Sequence, residues 1–367
     1  MRHVQLSYDF AARRQDGWVR NALADLLHAV QEQGSISAAA RTLGLSYRHV
    51  WGELRRWEAQ LQQPLIVWEK GQRARLAPFG EKLLWAERQA QARLAPQIEA
   101  LHAELERAFA VAFDAQAQVL TLFASHDDGL SLLRGAAVEQ GRLHLDIRFL
   151  GSVDAIAALN AGRCTLAGFH ASHQPGLGSH TQRSYQPLLQ PGRHKLIGFA
   201  QRTQGLMVAA GNPLKLATLA DLVRRRARFV NRPAGSGTRL LCDELLERER
   251  IGDSDVSGYE REEPSHAAVA QAVASGSADA GLGIEAAARA RGLDFVPLLS
   301  EHYYLVCLKE ALEEAPIAAL RQVLQTAQWQ EALRGLPGYA PWRSGEVLSL
   351  KQQLPWWKLP PKKRRTS

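Results

Sequence analysis

The chain has 367 residues, enough for two or three domains, and its 46% hydrophobic and 22% charged residues are typical of a soluble globular protein. No run of about eighteen apolar residues occurs and the N-terminus lacks the apolar segment of a secretory signal, so the sequence predicts no membrane span and no export. Cys164, Cys242 and Cys307 are widely spaced, which argues against a disulfide framework and favours the reducing cytoplasm. Six of the basic residues behind the net charge of +8 lie in residues 351–367, so the net charge is not by itself an argument for DNA binding.

Residues 34–58, which follow a predicted helix over 21–33, have the pattern of a helix-turn-helix. Ser37 is predicted to cap a short helix over residues 38–43, and Gly44 ends it because glycine adopts positive φ without steric cost. Ser46 is then predicted to cap a second helix over about residues 47–60.

The second helix has two distinct faces. Its predicted buried face consists of Val50, Leu54, Trp57 and Leu61, and its predicted exposed face consists of Arg48, His49, Gly52, Arg55 and Arg56. A basic exposed face with a glycine for close approach suits a DNA major groove. Spacing alone leaves open an ordinary helical hairpin with a solvated basic face.

The segment GSISAAARTLGLSYRHVWGELRRWE, followed by PLIVWEKGQRARLAPFGEKLL, resembles the winged helix-turn-helix of molybdate-responsive and LysR-type bacterial regulators. Pro64-Leu65-Ile66 stands for the P-L-[VIF] strand of those families, and residues 76–80 stand for L-T-P-x-G, with Ala77 in place of the usual threonine. The resemblance implies a wing whose basic residues approach phosphates. The candidate DNA contacts are Ser37, Ser46, Tyr47, Arg48, His49, Gly52, Arg55, Arg56, Lys70, Arg73 and Arg75.

Residues 78–113 are predicted to form one long helix, interrupted only by Pro96. Its apolar positions have little of a small DNA-binding domain to pack on, so a second copy of the helix is the expected partner, giving a two-fold dimer or a higher oligomer. The alternative is a helix packed on its own chain.

After residue 114 short strands and helices alternate, which predicts a mostly parallel sheet covered on both faces. Segments 195–200 and 206–210 are predicted as strands that cross between two α/β lobes. Segment 294–297 is predicted as a strand of the second lobe, and 303–308 as a separate strand that can cross back. One helix over 316–333 is expected to complete the fold, and the chain from residue 341 onwards is predicted to be an extended tail.

Three loops follow predicted strands and open helices, where ligands of such sheets bind. They are Ser125-His126-Asp127, Gly151-Ser152, and the segment from Asn231 to Arg239. In the third, glycines allow close approach, the helix N-terminus offers free N–H groups, and hydroxyls and arginines add donors, which together describe an anion pocket. A plain capped helix start is the alternative, and the segment lacks the G-K-[ST] of a Walker loop. The candidate ligand contacts are Ser125, His126, Asp127, Gly151, Ser152, His170, Arg232, Gly235, Ser236, Gly237, Thr238 and Arg239.

Residues 119–308 resemble type II periplasmic binding proteins, above all their tungstate-binding branch and the related domains fused to molybdenum-linked regulators and biosynthesis proteins. The resemblance is carried by FVNRPAGSGTR, by FLGSVDAIAALNAGRCTLAGFH, which ends at His170, and by SHAAVAQAVASGSADAGLGIEAAA. It implies a molybdate or tungstate effector and no required cofactor. SHDDG departs from the family's Thr/Ser-rich first loop, and Asp127 or Asp128 facing a dianion would repel it. This departure leaves open a molybdenum-cofactor-like pterin or a small organic acid such as formate.

An enzyme or carrier of molybdenum cofactor metabolism is the alternative class. His170 and His173, with His126, His180 or Cys164, offer candidate metal ligands, but no H-E-x-x-H and no G-x-S-x-G occurs. We therefore expect no catalytic residues, no metal site and no enzymatic activity.

Taken together, the sequence predicts a multidomain α+β chain. A winged helix-turn-helix (residues 1–77) and a long linker helix (78–113) precede a two-lobed α/β domain of the type II periplasmic-binding-protein kind (114–345) and a basic tail (346–367). The expected function is that of a cytoplasmic bacterial transcriptional regulator. Its expected partners are double-stranded DNA, a small anionic effector and further copies of itself as a homodimer or homotetramer, with no membrane partner.

Overall fold

The computed structural model describes residues 21–68, 72–113, 116–173 and 176–357, and the chain divides into two compact units, Met1–Ala95 and Pro96–Ser367. The helices are α1 (Ala22–Gln33), α2 (Ile36–Thr42), α3 (Tyr47–Leu61), α4 (Pro78–Phe113), α5 (Asp128–Gly141), α6 (Ser152–Asn160), α7 (His180–Tyr185), α8 (Leu219–Arg224), α9 (Gly237–Glu249), α10 (His266–Ala274), α11 (Glu285–Arg289), α12 (Ala315–Gln325), α13 (Ala327–Arg334) and α14 (Leu350–Gln353). The strands are β1 (Ile66–Val67), β2 (Arg75–Leu76), β3 (Gln118–Ala124), β4 (Leu143–Phe149), β5 (Leu166–Ser172), β6 (His194–Val208), β7 (Phe229–Val230), β8 (Ala280–Ile284), β9 (Asp294–Leu308), β10 (Tyr339–Pro341) and β11 (Val347–Leu348).

The first unit is a three-helix core with a two-stranded antiparallel wing, β1 and β2. The prediction that Ser37 caps α2 is wrong, because Ser35 is the N-cap and its Oγ accepts from the N–H of Ala38 at 3.4 Å. Both serines of G-S-I-S can cap a helix, and the choice follows from Ile36, which is buried in the core as the first residue of the helix. Ser37 is therefore an exposed residue within the first turn.

Helix α3 begins where the sequence predicts. Ser46 Oγ accepts from the N–H of His49 at 3.1 Å, and Gly44, with φ of 67°, forms the turn before it. Val50 and Leu54 are fully buried, whereas the other two residues of the predicted buried face, Trp57 and Leu61, are half-buried at the edge of the core.

Helix α4 spans the predicted range and includes Pro96. Within the first unit Leu84 joins the core, and within the second unit Glu99 and Ala103 are buried. Residues 96–113 thus pack on their own chain, which was the alternative to a free dimerisation helix, while Leu101 and Phe113 stay exposed.

The second unit is built on a nine-stranded sheet of order β4-β3-β5-β9-β6-β8-β7, with β10 and β11 added to β6. The four strands predicted within 195–210 and 294–308 are in fact two strands of 15 residues, β6 and β9, which pair antiparallel along their whole length. The sequence hides this continuity because Arg202, Gln204 and Glu301 interrupt the apolar pattern. These polar side chains bond to one another across the strands, so the strands continue through them.

The predicted helix over 316–333 is two helices, because Thr326 ends α12 and caps α13, accepting from the N–H of Trp329 at 3.2 Å. The predicted extended tail is wrong as far as residue 357. Strand β11 and helix α14 pack on the sheet, and Leu348, Leu354 and Trp356 are buried. Each of these short elements supplies only one or two apolar residues, too few for a periodic signal.

Each cysteine lies in a different hydrophobic cluster of the second unit, Cys164 in that of α6 and β5, Cys242 in that of α8 and α9, and Cys307 in that of α5 and α12. Burial raises the pKa of the Cys164 thiol to about 11 and that of the Cys242 thiol to about 12. Across the described segments, none of the helices has both the length and the hydropathy to cross a bilayer. The predicted multidomain α+β fold, with its winged helix-turn-helix and two-lobed α/β domain, is confirmed.

Candidate DNA-binding surface and anion-binding pocket

The candidate DNA-binding side chains of the first unit that fall in its described part are all exposed. Lys70 lies outside the described residues, Arg73 lies two residues before β2, and Arg75 is the first residue of β2. Among the described residues Arg48 has no acidic partner, whereas Arg55 pairs with Glu58 at 3.0 Å and Arg56 pairs with Glu53. Arg48 therefore presents a full positive charge at the start of α3 without an internal counter-ion.

Glu58 links the recognition helix to the wing. Its Oε1 accepts from the N–H groups of Leu65 and Ile66 at 2.8 and 3.3 Å, and its Oε2 accepts from Arg55. A carboxylate that accepts from backbone N–H groups fixes the position of β1 relative to α3.

In the second unit, the second and third predicted loops touch. The N–H of Val153, in the first turn of α6, donates to the carbonyl of Gly235 at 3.3 Å. A Cβ on Gly237 would lie 3.3 Å from both Ser152 Oγ and His170 Nδ1, so this glycine provides room between those polar side chains. The start of α6, the end of β5 and the start of α9 thus meet at one place.

A buried hydrogen-bonded chain adds residues that the sequence analysis did not select. Gln204 Nε2 donates to Thr238 Oγ1 at 3.1 Å and to Glu301 Oε1 at 2.9 Å. Thr238 Oγ1 lies 3.5 Å from His266 Nε2 at the start of α10. Arg202, Gln204 and Glu301 could have been selected on one signal, because each lies in a short polar stretch between two apolar stretches of the sequence.

The expectation that Asp127 repels an anion is not supported by its surroundings. Asp127 caps α5, and its second carboxylate oxygen pairs with the buried guanidinium of Arg202 and accepts from Tyr339 OH at 2.6 Å. Arg202 also pairs with Glu301, so one buried guanidinium bridges two carboxylates. Burial, together with the charge of Asp127, raises the pKa of the neighbouring Asp128, which favours its neutral form.

Arg232 differs from Arg202 because it has no anionic partner. It is 4% exposed, and its Nε and Nη1 atoms have no hydrogen-bond partner within the described chain. Burial, together with the charge of Arg202, lowers the pKa of Arg232 to about 9. Buried polar groups almost always have a partner, so an unpaired guanidinium marks a place where an anion fits.

Further unpaired polar atoms lie buried in the same part of the unit. Both ring nitrogens of His170, Nδ1 of His266 and Oγ of Ser125 have no partner within the described chain. Burial, reinforced by the charges of Arg202 and Arg232, holds the pKa of both histidines well below its usual value, so both rings are neutral. Neutral imidazole offers one donor and one acceptor, and Ser125 offers a hydroxyl donor.

Two candidate ligand residues already have partners within the protein. Ser236 Oγ donates to the carbonyl of Pro233 at 2.7 Å and accepts from the N–H of Arg239 at 3.2 Å, as an ordinary helix cap does. Arg239 pairs with Asp243 and Glu262, both at 3.1 Å. Within the described chain Arg239 therefore has anionic partners, whereas Arg232 has none.

His126 connects the first loop to the linker helix. Its Nε2 lies 3.1 Å from Glu99 Oε2, and Ser131 Oγ donates to the other oxygen of Glu99 at 2.5 Å. Although burial alone would raise it, these hydrogen bonds hold the pKa of Glu99 below its usual value. Helix α4 is thus bound at Glu99 to the residue between Ser125 and Asp127.

The histidines proposed as alternative metal ligands do not converge. His170 packs against the ring of Tyr303 at 3.8 Å, whereas His173 Nδ1 lies 3.2 Å from His302 Nε2. Within the described ranges, no group of three or more His, Cys, Asp or Glu side chains has the geometry to hold a metal ion.

Comparison with protein families matches both units. Residues 134–325 match the PBP superfamily domain, and residues 23–81 match the bacterial regulatory helix-turn-helix protein, lysR family. The chain is 32% identical to the uncharacterized protein YvgK of Bacillus subtilis over 201 residues, which are 55% of this chain and 64% of that protein. It is 33% identical over 111 residues to an uncharacterized protein in the ferredoxin 2Fe-2S gene 5' region of Clostridium pasteurianum, covering 30% of this chain and 98% of that protein.

Solved structures with a similar fold include full-length BenM, with a TM-score of 0.43, 16% identity, and coverage of 86% of this chain and 98% of that one. They also include CbnR, a LysR family transcriptional regulator, in complex with its target DNA, with a TM-score of 0.38, 17% identity, and coverage of 82% and 98%. The PBP match spans more than half of the chain and shows that the chain belongs to the PBP superfamily, with a segment of its first unit similar to the helix-turn-helix of the lysR family of bacterial regulatory proteins.

Proposed function

We propose that the protein is a bacterial transcriptional regulator that works in the cytoplasm and whose PBP-superfamily domain binds a small oxyanion, molybdate or tungstate. The observation that carries the proposal is the buried guanidinium of Arg232, with two nitrogens lacking a partner among the described residues. A fully ionised oxyanion accepts hydrogen bonds through every oxygen, and the free groups of Arg232, Ser125 and the two neutral histidines can donate to it.

The surroundings of Asp127 favour a small oxyanion over a pterin or a formate-like acid. The argument for a larger ligand rests on repulsion by Asp127, and that carboxylate is already bound by Arg202 and by the hydroxyl of Tyr339. We place the anion beside Arg232, with Ser152, Gly237 and Thr238 lining its other side, because the start of α6 and the start of α9 meet there. The helix N-termini add partial positive charge.

A thermal-shift screen of the full chain tests the proposal. Molybdate or tungstate should raise the melting temperature, because a ligand that binds only the folded state stabilises it by about 2.7 kcal/mol at a hundredfold excess over Kd. Sulfate, phosphate, formate and a pterin are the comparison ligands. A rise in melting temperature with formate or the pterin, but with neither molybdate nor tungstate, would reject the proposed effector. Catalytic turnover of a molybdenum-cofactor substrate by the protein would instead support the enzyme alternative.

We further propose that the regulator acts as a homodimer or homotetramer and that effector binding shifts the population between two conformations. The effector can change DNA binding only through its different affinities for the two conformations. Helix α4 is the covalent connection between the units, and Glu99 is the residue of α4 that contacts the first ligand loop through His126.

The Glu99→Gln variant should separate effector binding from its effect on DNA binding. The amide replaces a buried carboxylate that accepts from both His126 and Ser131, so the connection between loop and helix is weakened while Arg232 is untouched. We expect effector affinity within about threefold of wild type, and an effector-dependent change in DNA affinity reduced about tenfold, since coupling free energies are about 1–3 kcal/mol. Calorimetry and DNA-binding titrations with and without effector measure the two quantities.

Glu104→Gln is the matched control, because Glu104 is exposed on the same helix. It should leave both effector affinity and coupling unchanged. Undiminished coupling in Glu99→Gln would contradict the role of this contact without bearing on the effector itself.

A further inference from the structure

Three aromatic side chains of the first unit form what we name the aromatic surface, consisting of Tyr47, Trp51 and Trp68. The rings of Tyr47 and Trp51 are parallel within 7°, with centroids 6.4 Å apart, and Trp68 contacts Trp51 edge-on at 6.1 Å. Tyr47 is 46% exposed and Trp68 is 51% exposed, so the surface is not covered by the core of the domain. Large exposed aromatic groups in a contiguous set indicate a binding surface.

The aromatic surface lies where DNA would be read. Tyr47, Trp51 and Arg55 are spaced four residues apart, which places them along one stripe of α3 from its first turn onwards. The guanidinium of Arg55 lies 4.4 Å from the ring centroid of Trp51. Residues at the N-terminal end of a recognition helix contact base edges, and Tyr47 is the first residue of α3.

The groups on the base edges of the DNA duplex determine what an exposed apolar ring can recognise. In the major groove the base edges offer donors, acceptors and a single apolar group, the C5-methyl of thymine. The Tyr47 ring lies parallel to Trp51, which Trp68 in turn contacts edge-on, so the phenol loses less conformational freedom on contact than a ring without neighbours would. Arg48, which follows Tyr47 in α3, can contact DNA through hydrogen bonds to bases or phosphates, but its guanidinium cannot provide the apolar contact.

We infer that Tyr47 reads thymine through its C5-methyl group, with Trp51 and Trp68 as positioning residues. The inference rests on the proposed DNA-binding function and adds to it the base that the operator must contain opposite the start of α3. The Tyr47 hydroxyl is not required for this contact, so the recognition is apolar.

The experiment begins with selection of a preferred duplex from a random pool by the full-length protein. Each thymine of that duplex is then replaced by deoxyuridine, which removes the methyl group and keeps base pairing. Wild type should bind about fourfold more weakly when the contacted thymine is replaced, the factor that corresponds to one buried methyl group. Tyr47→Ala should bind both duplexes with equal affinity, and Tyr47→Phe should keep the fourfold ratio.

Arg48→Ala is the control, since it should weaken binding to both duplexes while preserving their ratio. Equal binding of the thymine and deoxyuridine duplexes by wild type overturns the inference and leaves the regulator proposal standing. The inference is also overturned if unpaired single strands bind more tightly than the duplex, because the rings then stack on bases. A pool that yields no preferred sequence contradicts the proposed function itself.

Discussion

Replacement of Arg202 by Met is expected to lower the free energy of unfolding by about 3–5 kcal/mol, the usual effect of breaking a buried ion pair. The guanidinium of Arg202 is 2% exposed and pairs with both Asp127 and Glu301, so its loss leaves two buried carboxylates without a cation. The melting temperature should fall by about 10 °C for a domain of this size. Chemical and thermal denaturation of the full chain measure the change.

The pH dependence distinguishes lost charge pairing from lost packing. Without Arg202 two buried carboxylates have lost their cation, and the destabilisation caused by this uncompensated negative charge is largest at neutral pH and is relieved when acid neutralises it. The difference in free energy of unfolding between Arg202→Met and wild type should therefore become smaller towards acid pH. Arg228→Met is the control, because the Arg228–Asp279 pair is largely exposed and contributes about 0–1 kcal/mol. A difference in free energy of unfolding that stays constant with pH would show that Arg202→Met acts through lost packing and not through lost charge pairing.

Replacement of Arg232 by Met is expected to weaken effector binding strongly without destabilising the empty protein. Loss of the charged hydrogen bonds to the anion should weaken binding about a hundredfold, the equivalent of about 3 kcal/mol. Because Arg232 has no anionic partner in the described chain, its removal relieves an uncompensated buried charge, and the melting temperature without effector should be equal or higher. The thermal shift produced by molybdate or tungstate should disappear.

Arg239→Met is the control for Arg232→Met and should give the opposite result. Arg239 pairs with Asp243 and Glu262 and lies over the ring of Tyr259, so its loss should destabilise the protein and leave effector affinity within about threefold. If Arg232→Met destabilised the empty protein as much as Arg239→Met does, Arg232 would have a structural partner and the pocket would be elsewhere.

The DNA-binding unit could be predicted from sequence nearly residue by residue, because its signals are local. Ser46, Gly44 and the spacing of Val50 and Leu54 each act within one or two helical turns. The one misplaced cap, at Ser37 in place of Ser35, depended on which apolar side chain enters the core, a tertiary property. The loops of the proposed anion pocket were predictable for the same local reason, since helix starts have recognisable caps.

The charge arrangement of the pocket could not be predicted, because it depends on pairs far apart in sequence. Asp127 was expected to repel an anion, and only the fold brings Arg202 and Tyr339 to its carboxylate. The same applies to Arg232 and Arg239, which stand seven residues apart and whose sequence context does not distinguish the unpaired cation from the paired one. Long-range pairing likewise turned four predicted strands into two.

The three buried thiols allow local opening of the protein to be measured without introducing a label. Cys164, Cys242 and Cys307 lie in three separate hydrophobic clusters, and each reacts with an alkylating reagent only when its own cluster opens, because both burial and a raised pKa suppress the native thiolate. The alkylation rate at each position is thus a measure of the opening free energy of that cluster. Peptide mass spectrometry of the unmutated chain can follow all three rates at once and resolve which cluster a bound anion protects first.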